Sequence, residues 1–507
     1  MRGRVFWVLP CVAALACMVS LAQGVATAQT GDGGWSQPVL LFKISDATDG
    51  AITVPVVVAG KDGSVHVFWQ YQVPEAAGQP AHAAIYYTRW DGKSWSKPVD
   101  LVDAPTLHLS SAAIDRNGYL HLMWQGTLGR LFYARAREGD ATSASKWTRP
   151  VPVDTAYVNG QIVADSRGWL HRVYARHGQL GTYYQVSKDG GATWSFPVNV
   201  ARTSNEQSAA DFVRVAATES GILHVVWTEF TLPSGWPPTG VYYSRSGDGG
   251  KTWSPPVELA GPGYDQINVA VAGDTTVHVA WNGMAGVGNR YHRWSSDGGR
   301  TWSAVSQVVT GGGGTEGPPQ LAVDSAGNLH MLTTSDGRVW YDSWQGGGWA
   351  APQYVPSGDE GPIPPLASPV DVKVRHIEQA TMDIGLGNRL DAVFWDQRVQ
   401  QGVTYVWYTT KTVGAPGLSP AAFPVPVPTG TTNRGSTSAG ISFGPTRSLK
   451  TLPTAVRSVP VAADVPHDPL AGQPSPDSRL PAFAGSGLAV LLVGGVVLVG
   501  VVRGRNR

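Results

Sequence analysis

From Trp35 to Thr410 the chain alternates short apolar segments with polar turns, and the same order of segments returns several times. Each repeat has a short apolar segment, a polar turn, an apolar segment that starts with His and usually ends in Trp, a Tyr-rich segment, and a Trp-Ser-x-Pro-Val-like segment. Apolar runs of this length between turn residues predict β-strands. The His-initiated segments start at His66, His121, His171, His224, His278 and His330, with Asp391 in place of His in a seventh copy. We therefore predict an all-β fold with four strands per repeat.

The order of the segments predicts how the repeats close. The fourth kind of segment begins at Trp35, Trp95, Trp147, Trp194, Trp253, Trp302 and Trp349. The repeat region thus opens on a fourth-type strand and ends on a third-type strand, at residues 404–409. An N-terminal strand that completes the last sheet closes a ring without free edges, and about 54 residues per repeat is typical of a propeller blade with long loops. We predict a β-propeller over residues 29–411 with seven four-stranded blades, or six as the alternative.

The two ends of the sequence predict export and anchoring. Arg2 and Arg4 precede an apolar run, and Ala26-Thr27-Ala28 follows it, which is the pattern of a secretory signal peptide over residues 1–28. Residues 412–481 are rich in Pro, Gly, Ser and Thr, a composition typical of a disordered stalk.

Residues 482–502 are apolar and long enough to cross a bilayer as one helix, and the arginines that follow predict a cytoplasmic tail over 503–507. The whole arrangement predicts a single-pass type I protein of the cell membrane with its propeller outside the cell.

Charge and cysteine content exclude several classes of function. Both cysteines, Cys11 and Cys17, lie in the predicted leader, so the mature chain would hold no disulfide and no thiolate chemistry. Five of the 38 basic residues lie at the two termini, which leaves 33 against 37 acidic residues between them. A mildly acidic body of this kind is a poor partner for nucleic acid.

Three turns between the third and fourth strands share the pattern Ser-x-Asp-Gly-Gly-x-Thr-Trp, at residues 187–194, 246–253 and 295–302. They resemble the Asp-box, or BNR repeat, of sialidases and their relatives. Asp accepts backbone hydrogen bonds across such a turn, Gly allows positive φ, and Trp packs between sheets. We therefore expect structural roles for Asp189, Trp194, Asp248, Trp253, Asp297 and Trp302.

Aligning the repeats on the His brings polar residues to one end of the innermost strands, opposite the Asp-box turns. This end is the mouth of a central channel, a common ligand site in propellers. The candidates are Arg214, Arg398, Asp211, Asp265, Glu378, Glu229, Asp396, Gln161, Asn268 and Gln320. Two interpretations stay open at this stage: the side chains bind a ligand, or they form a polar network between blades. The repeated His residues, by contrast, are expected to be satisfied core residues and not metal ligands.

Resemblance to sialidases implies an arginine triad, a Tyr–Glu nucleophile pair and an Asp acid/base, with the first arginine in an Arg-Ile-Pro motif. Thr53 stands where that arginine is expected, in Ile52-Thr53-Val54-Pro55. Few arginines and many acids at the mouth also suit a sialic acid poorly. We assign no catalytic residue, no metal and no cofactor, and leave enzyme activity open. The leading hypothesis is recognition of a glycan or surface polymer. The alternatives are a sialidase-type exo-glycosidase and a non-catalytic display module that binds proteins.

Overall fold

Seven four-stranded antiparallel sheets form the fold in the computed structural model of the chain. The structure describes residues 34–45, 51–73, 82–105, 107–126, 129–155, 160–176, 181–204, 208–231, 238–283, 289–308, 316–335, 337–358, 377, 379–398, 402–414, 490–493 and 496–499. The seven-bladed propeller predicted from the repeats is confirmed, and the six-bladed alternative is wrong.

Strand β1 (Val39–Ser45) comes first in the chain and belongs to the last blade. Blade 1 has β2 (Ala51–Ala59), β3 (Val65–Val73), β4 (His82–Trp90) and β5 (Val99–Ala104), and blade 2 has β6 (Leu107–Ile114), β7 (Tyr119–Gly126), β8 (Arg130–Arg137) and β9 (Val151–Thr155). Blade 3 has β10 (Gln161–Ala164), β11 (Leu170–Ala175), β12 (Thr182–Ser187) and β13 (Val198–Ala201), and blade 4 has β14 (Ser208–Ala217), β15 (Leu223–Thr231), β16 (Pro238–Ser246) and β17 (Val257–Ala260).

Blade 5 has β18 (Tyr264–Ala272), β19 (Thr276–Gly283), β20 (Arg290–Ser295) and β21 (Ser306–Val308), and blade 6 has β22 (Glu316–Val323), β23 (Leu329–Ser335), β24 (Arg338–Trp344) and β25 (Gln353–Val355). Blade 7 has β26 (Ala380–Gly385), β27 (Arg389–Arg398) and β28 (Val403–Thr412), and β1 completes it. The Trp residues taken as starts of the fourth strands in fact precede those strands by several residues, because each Trp belongs to the inter-blade contact described below.

The ring closes through strand pairing and not through a covalent turn. Strand β1 pairs antiparallel with β28, from Val39 opposite Tyr408 to Ser45 opposite Val403. The first strands of successive blades contact one another around the axis, and β2 contacts β26 to complete the circle. Closure by the N-terminal strand, predicted from the order of the segments, is confirmed.

Every seam between neighbouring blades contains the same edge-to-face aromatic contact. The third strand of one blade presents a ring, and the Trp that precedes the fourth strand of the next blade packs against it, with centroids 4.8–6.4 Å apart. The seven pairs are Tyr87–Trp147, Tyr133–Trp194, Tyr184–Trp253, Tyr243–Trp302, His292–Trp349, Tyr341–Trp35 and Tyr408–Trp95. Such pairs add stabilisation beyond the area that they bury.

The repeated His residues hold these rings in place. In five blades, His Nδ1 lies 2.7–2.8 Å from the Oη of the third-strand Tyr, as in His171–Tyr184. His278 contacts His292 instead, and in blade 7 the Tyr408 hydroxyl donates to Asp391. All six His residues are at most 3% exposed. Their predicted burial in the core is confirmed, and the Nδ1 atom of each has a hydrogen-bond partner.

The Asp-box turns owe their shape to one serine and one aspartate. In the turn of blade 4, Asp248 accepts hydrogen bonds from the backbone N–H groups of Lys251 and Thr252 and from the Thr252 hydroxyl. The Ser246 hydroxyl donates to Asp248 Oδ1 and accepts from Gly250 N–H. Asp189 and Asp297 accept the equivalent bonds in blades 3 and 5, and these bonds lower the pKa of all three carboxyls.

The predicted transmembrane helix over 482–502 is not supported. Within it the structure describes Val490–Val493 (β29) and Val496–Val499 (β30), which pair with each other antiparallel. None of the described segments contains a helix long and apolar enough to span a membrane, and the helical elements there are two 3₁₀ turns, Glu138–Asp140 and Ala144–Lys146. The predicted leader, the cytoplasmic tail and nearly all of the predicted stalk lie outside the described residues.

Candidate functional site

Two of the candidates, Gln161 and Asn268, and the residues at the equivalent position in two other blades, Ser111 and Thr381, bond to the next blade. The innermost strand of each sheet leaves backbone groups unpaired along its inner edge, and buried groups of this kind need partners. Ser111 Oγ accepts from Ile162 N–H, Gln161 Oε1 from Val215 N–H and Thr381 Oγ1 from Val57 N–H, at 2.7–3.2 Å. Asn268 Nδ2 donates to Pro319 O at 3.0 Å. These bonds fasten neighbouring blades, as the network interpretation expected.

Three more candidates are occupied by local partners. Glu229 is 1% exposed, and its two carboxylate oxygens accept from Trp227 Nε1 and Ser204 N–H. Asp396 is fully buried and forms an ion pair with Arg398 at 2.8 Å. Gln320 Nε2 donates to Pro318 O of its own strand.

The remaining described candidates, Asp211, Arg214 and Asp265, lie at the mouth end of the first strands of blades 4 and 5. A β-bulge interrupts each strand, between Asp211 and Arg214 in β14 and between Asp265 and Asn268 in β18. The residue after each aspartate has positive φ, 48° at Phe212 and 56° at Gln266. Each aspartate accepts a hydrogen bond from that residue's N–H, at 2.8 and 2.5 Å. The bulges therefore fix the direction of both carboxyl groups.

Burial shifts the pKa of Asp265 and of Arg214. Burial raises the pKa of Asp265 to about 7, and the nearby charge of Asp211 acts in the same direction against the bond from Gln266. Burial lowers the pKa of Arg214 to about 10 while Asp211 opposes the shift, so the guanidinium stays charged at neutral pH. Asp265 is 8% exposed, and Asp211 and Arg214 are half-buried. At neutral pH the site thus combines a guanidinium cation, the carboxyl group of Asp211 and, in Asp265, a carboxyl group near its midpoint of titration.

This arrangement can donate and accept hydrogen bonds, and it can exchange a proton. A protonated acid beside an ionised one is the combination used in general acid–base chemistry. Within the described residues, no group of three or more His, Cys, Asp or Glu side chains could hold a metal ion. Glu378, the remaining candidate, lies outside the described residues.

Asn282, which the alignment places at the channel mouth, joins blades 5 and 6 at the same end, and the sequence reasoning missed its partner Gln266. Asn282 donates to Gln266 Oε1 at 2.6 Å and to Gly317 O at 2.8 Å. Gln266 could have been found from the pattern Asp-x-(Val or Ile)-polar, which occurs in both Asp211–Arg214 and Asp265–Asn268. Asp383 was also missed; it accepts from Ala59 N–H at 2.9 Å, and its burial raises its pKa to about 6.

Comparison with known proteins gives a family-model match over part of the chain and several similar folds. Residues 20–226 match the model of the BNR repeat-like domain. No curated protein matches the chain significantly. A protein of unknown function from Dyadobacter fermentans is 12% identical with a TM-score of 0.46, over 74% of this chain and 98% of that one.

Two enzymes have similarly low sequence identity to this chain. A PL25 ulvan lyase bound to -[GlcA(1-4)Rha3S]- is 13% identical with a TM-score of 0.46, over 72% of this chain and 95% of that one. The NanB sialidase of Streptococcus pneumoniae is 12% identical with a TM-score of 0.41, over 74% and 70%. Likenesses this remote carry no functional argument. Residues 20–226 are thus similar to the BNR repeat-like domain, and the seven-bladed β-propeller has three complete Asp-box turns.

Proposed function

We propose that this propeller recognises a glycan or a surface polymer rich in hydroxyl groups at the mouth of its channel, through Asp211, Arg214 and Asp265. The observation that carries the proposal is the pair of bulges that hold these side chains. Phe212 and Gln266 adopt the left-handed conformation, which costs a residue other than Gly about 1–2 kcal/mol. Strain of this kind persists where the surrounding structure imposes it, and it clusters at binding and active sites.

The charges of the site favour an uncharged sugar over an anionic one. Arg214 contributes the positive charge, Asp211 offsets it, and Asp265 adds a fraction of a negative charge at neutral pH. A carboxylate of a sialic or uronic acid would find one guanidinium and two acids, whereas bidentate arginine contacts are what a carboxylate prefers. Hydroxyl groups of a neutral sugar can donate to Asp211 and accept from Arg214.

Glycoside hydrolysis is the second candidate, because the raised pKa of Asp265 beside Asp211 specifically favours it. In that reaction one carboxyl group protonates the leaving oxygen while another acts as nucleophile or base. Asp265 would be the acid and Asp211 the ionised partner. Glycan recognition and glycoside hydrolysis both require the two carboxyl groups. Only a measurement of turnover therefore distinguishes the two functions.

The experiment combines glycan-array binding with assays on fluorogenic glycosides, using the full chain. Asp211→Asn, Arg214→Gln and Asp265→Asn are each expected to weaken binding at least about tenfold, the equivalent of one good charge-assisted hydrogen bond. Asp140→Asn and Arg137→Gln, on the opposite face, serve as matched controls and should bind as the parent does.

Turnover that Asp265→Asn abolishes while binding persists would replace recognition with hydrolysis. Neither binding nor turnover of any glycan would instead favour a protein-binding display module and refute the proposal.

We also propose that the propeller is displayed outside the cell on a membrane anchor over residues 482–502. Twenty uncharged residues followed by three arginines support it. Protease treatment of intact cells should remove the propeller from the membrane fraction, and a chain ending at residue 481 should be released into the medium. Retention of that shortened chain in the membrane would contradict the anchor.

A further inference from the structure

Each blade joins the chain before its fourth strand to its third strand through the same backbone hydrogen bond. The N–H of the residue after the inter-blade Trp donates to the carbonyl two positions after the aromatic residue of the third strand, at 2.7–2.9 Å. The seven donors are Ser36, Ser96, Thr148, Ser195, Ser254, Ser303 and Ala350. This point therefore anchors the outermost strand of every blade.

In five blades a side chain adds a second hydrogen bond at this anchor. The residue directly after the third-strand aromatic residue donates to the backbone carbonyl of the residue after the Trp, at 2.6–2.9 Å. The five bonds run from Thr88 to Ser96, from Gln185 to Ser195, from Ser244 to Ser254, from Arg293 to Ser303 and from Thr409 to Ser36. These four residue types differ in size and charge, and what they share is a hydrogen-bond donor.

Blade 6 has an acid at this position. Asp342 follows Tyr341, and Ala350 follows Trp349, so the repeat places the Asp342 carboxyl group beside Ala350 O. Asp342 is fully buried, and neither of its carboxyl oxygens has a hydrogen-bond partner among the described residues. An ionised carboxylate can only accept, whereas a protonated carboxyl group donates one hydrogen bond. Only the protonated acid can therefore make the bond that the side chains of the five other blades make.

Blade 6 also lacks a third hydrogen bond that reinforces the anchor elsewhere. In the other six blades the Ser or Thr hydroxyl of the residue after the Trp accepts from a third-strand N–H at 3.0–3.1 Å, as Ser254 Oγ does from Arg245 N–H. Ala350 has no hydroxyl group, and the fourth strand of this blade, β25, has three residues. The outer edge of blade 6 therefore depends on Asp342 more than the other edges depend on their donors.

The surroundings of Asp342 favour the uncharged acid. Burial raises the pKa of Asp342 to about 7, and the positive charge of Arg290, across the seam in blade 5, opposes the rise. Burial lowers the pKa of His278 to about 4 and that of His292 to about 3, so neither imidazole changes charge as Asp342 ionises. Strand alternation and pairing turn five charged or titratable described side chains toward this seam, His278, Arg290 and His292 from blade 5 and Arg338 and Tyr354 from blade 6.

We propose that Asp342 is protonated in the folded chain and donates to Ala350 O, and that its ionisation as pH rises releases the outer strand of blade 6. The proton passes to solvent, and the carboxylate that remains faces a carbonyl oxygen with no proton between them. Asp342 then acts as a pH-sensitive latch on β25 and on the chain that follows Trp349. The proposal is independent of any ligand at the channel mouth.

Hydrogen exchange in the full chain tests the latch. Mass spectrometry measures protection of peptides that cover residues 350–355, corrected for the intrinsic pH dependence of exchange. Their protection should fall at least about tenfold between about pH 5 and about pH 9, the equivalent of one hydrogen bond. Residues 195–201 of blade 3 are the internal control and should keep their protection, because the amide of Gln185 does not titrate. Unchanged protection of residues 350–355, or an equal fall in both segments, overturns the proposal.

Two substitutions of nearly the same shape separate the hydrogen bond from burial alone. Asp342→Thr supplies the donor that blades 1 and 7 use, so protection of residues 350–355 should stay high at both pH values. Asp342→Val removes the donor, so their protection should be low at both. Thr88→Val is the matched control and should lower protection of residues 96–104 in blade 1 equally at both pH values.

Equal protection in Asp342→Thr and Asp342→Val overturns the proposal. If Asp342→Val fails to fold, Asp342→Thr and the parent still decide. Protection in Asp342→Thr that falls with pH as the parent's does overturns the proposal as well.

Discussion

Gly250→Ala is expected to destabilise the propeller much more than Gly249→Ala, although the two glycines are adjacent and have similar φ angles of 86° and 75°. An alanine in this region costs about 1–2 kcal/mol at either position. A Cβ on Gly249 would meet nothing closer than 3.9 Å, whereas one on Gly250 would lie 2.0 Å from the Tyr184 ring. Because ordinary contacts begin near 3.4 Å, the ring must move by more than 1 Å.

That movement carries a further cost for Gly250→Ala. Overpacking of a core contact costs about 1–3 kcal/mol, and displacing Tyr184 also strains its 2.7 Å hydrogen bond to His171 and its contact with Trp253. We expect Gly250→Ala to lose about 1–3 kcal/mol more than Gly249→Ala. Guanidinium unfolding followed by tryptophan fluorescence measures both variants. Equal losses within about 0.5 kcal/mol would show that backbone conformation alone makes glycine necessary here, and the packing argument would fail.

Two further predictions concern buried charges. Arg398→Ala leaves the carboxylate of Asp396 buried without its ion-pair partner, which should lower the free energy of unfolding by about 3–5 kcal/mol. Arg137→Ala, on the surface, should change the free energy of unfolding by no more than about 0.5 kcal/mol, and denaturant unfolding measures both variants. Burial raises the pKa of Asp342 to about 7, from 3.8, so the folded protein keeps a proton that the unfolded chain releases, and stability is lost as pH rises toward and through 7. Asp342→Asn should therefore lose less stability than the parent between pH 5 and 8, by up to about 3 kcal/mol, and parallel Tm–pH curves would contradict this.

The repeats made the fold predictable. Blade number and ring closure follow from counting one His-initiated strand per repeat and from the position of Trp35 before the first complete blade. Both features can be recognised from short sequence segments, and the same edge-to-face aromatic contact recurs at every interface between blades. The C-terminal helix was a hydropathy inference without repeats to support it.

The site was less predictable, because alignment gives the level of a side chain along a strand but not its direction. Gln161 and Arg214 hold equivalent positions, yet Gln161 Oε1 accepts from the next blade at 2.7 Å while Arg214 donates to Val213 O of its own strand, near the charge of Asp211. Glu229 shows the same limit, since only the fold brings Ser204 N–H to its carboxylate.

Because β1 pairs with β28, the first strand to be synthesised is not the first to be assembled into a sheet. Ser36 and Thr410, which share two hydrogen bonds, are 374 residues apart, so the strand made first is the last to find its partner. Contacts of such separation form late and slowly. During synthesis β1 stays with its edges unpaired until β28 has been made, and unpaired strand edges lead sheet proteins to aggregate. A chain that stops anywhere before blade 7 retains that hazard permanently, however well its completed blades have folded.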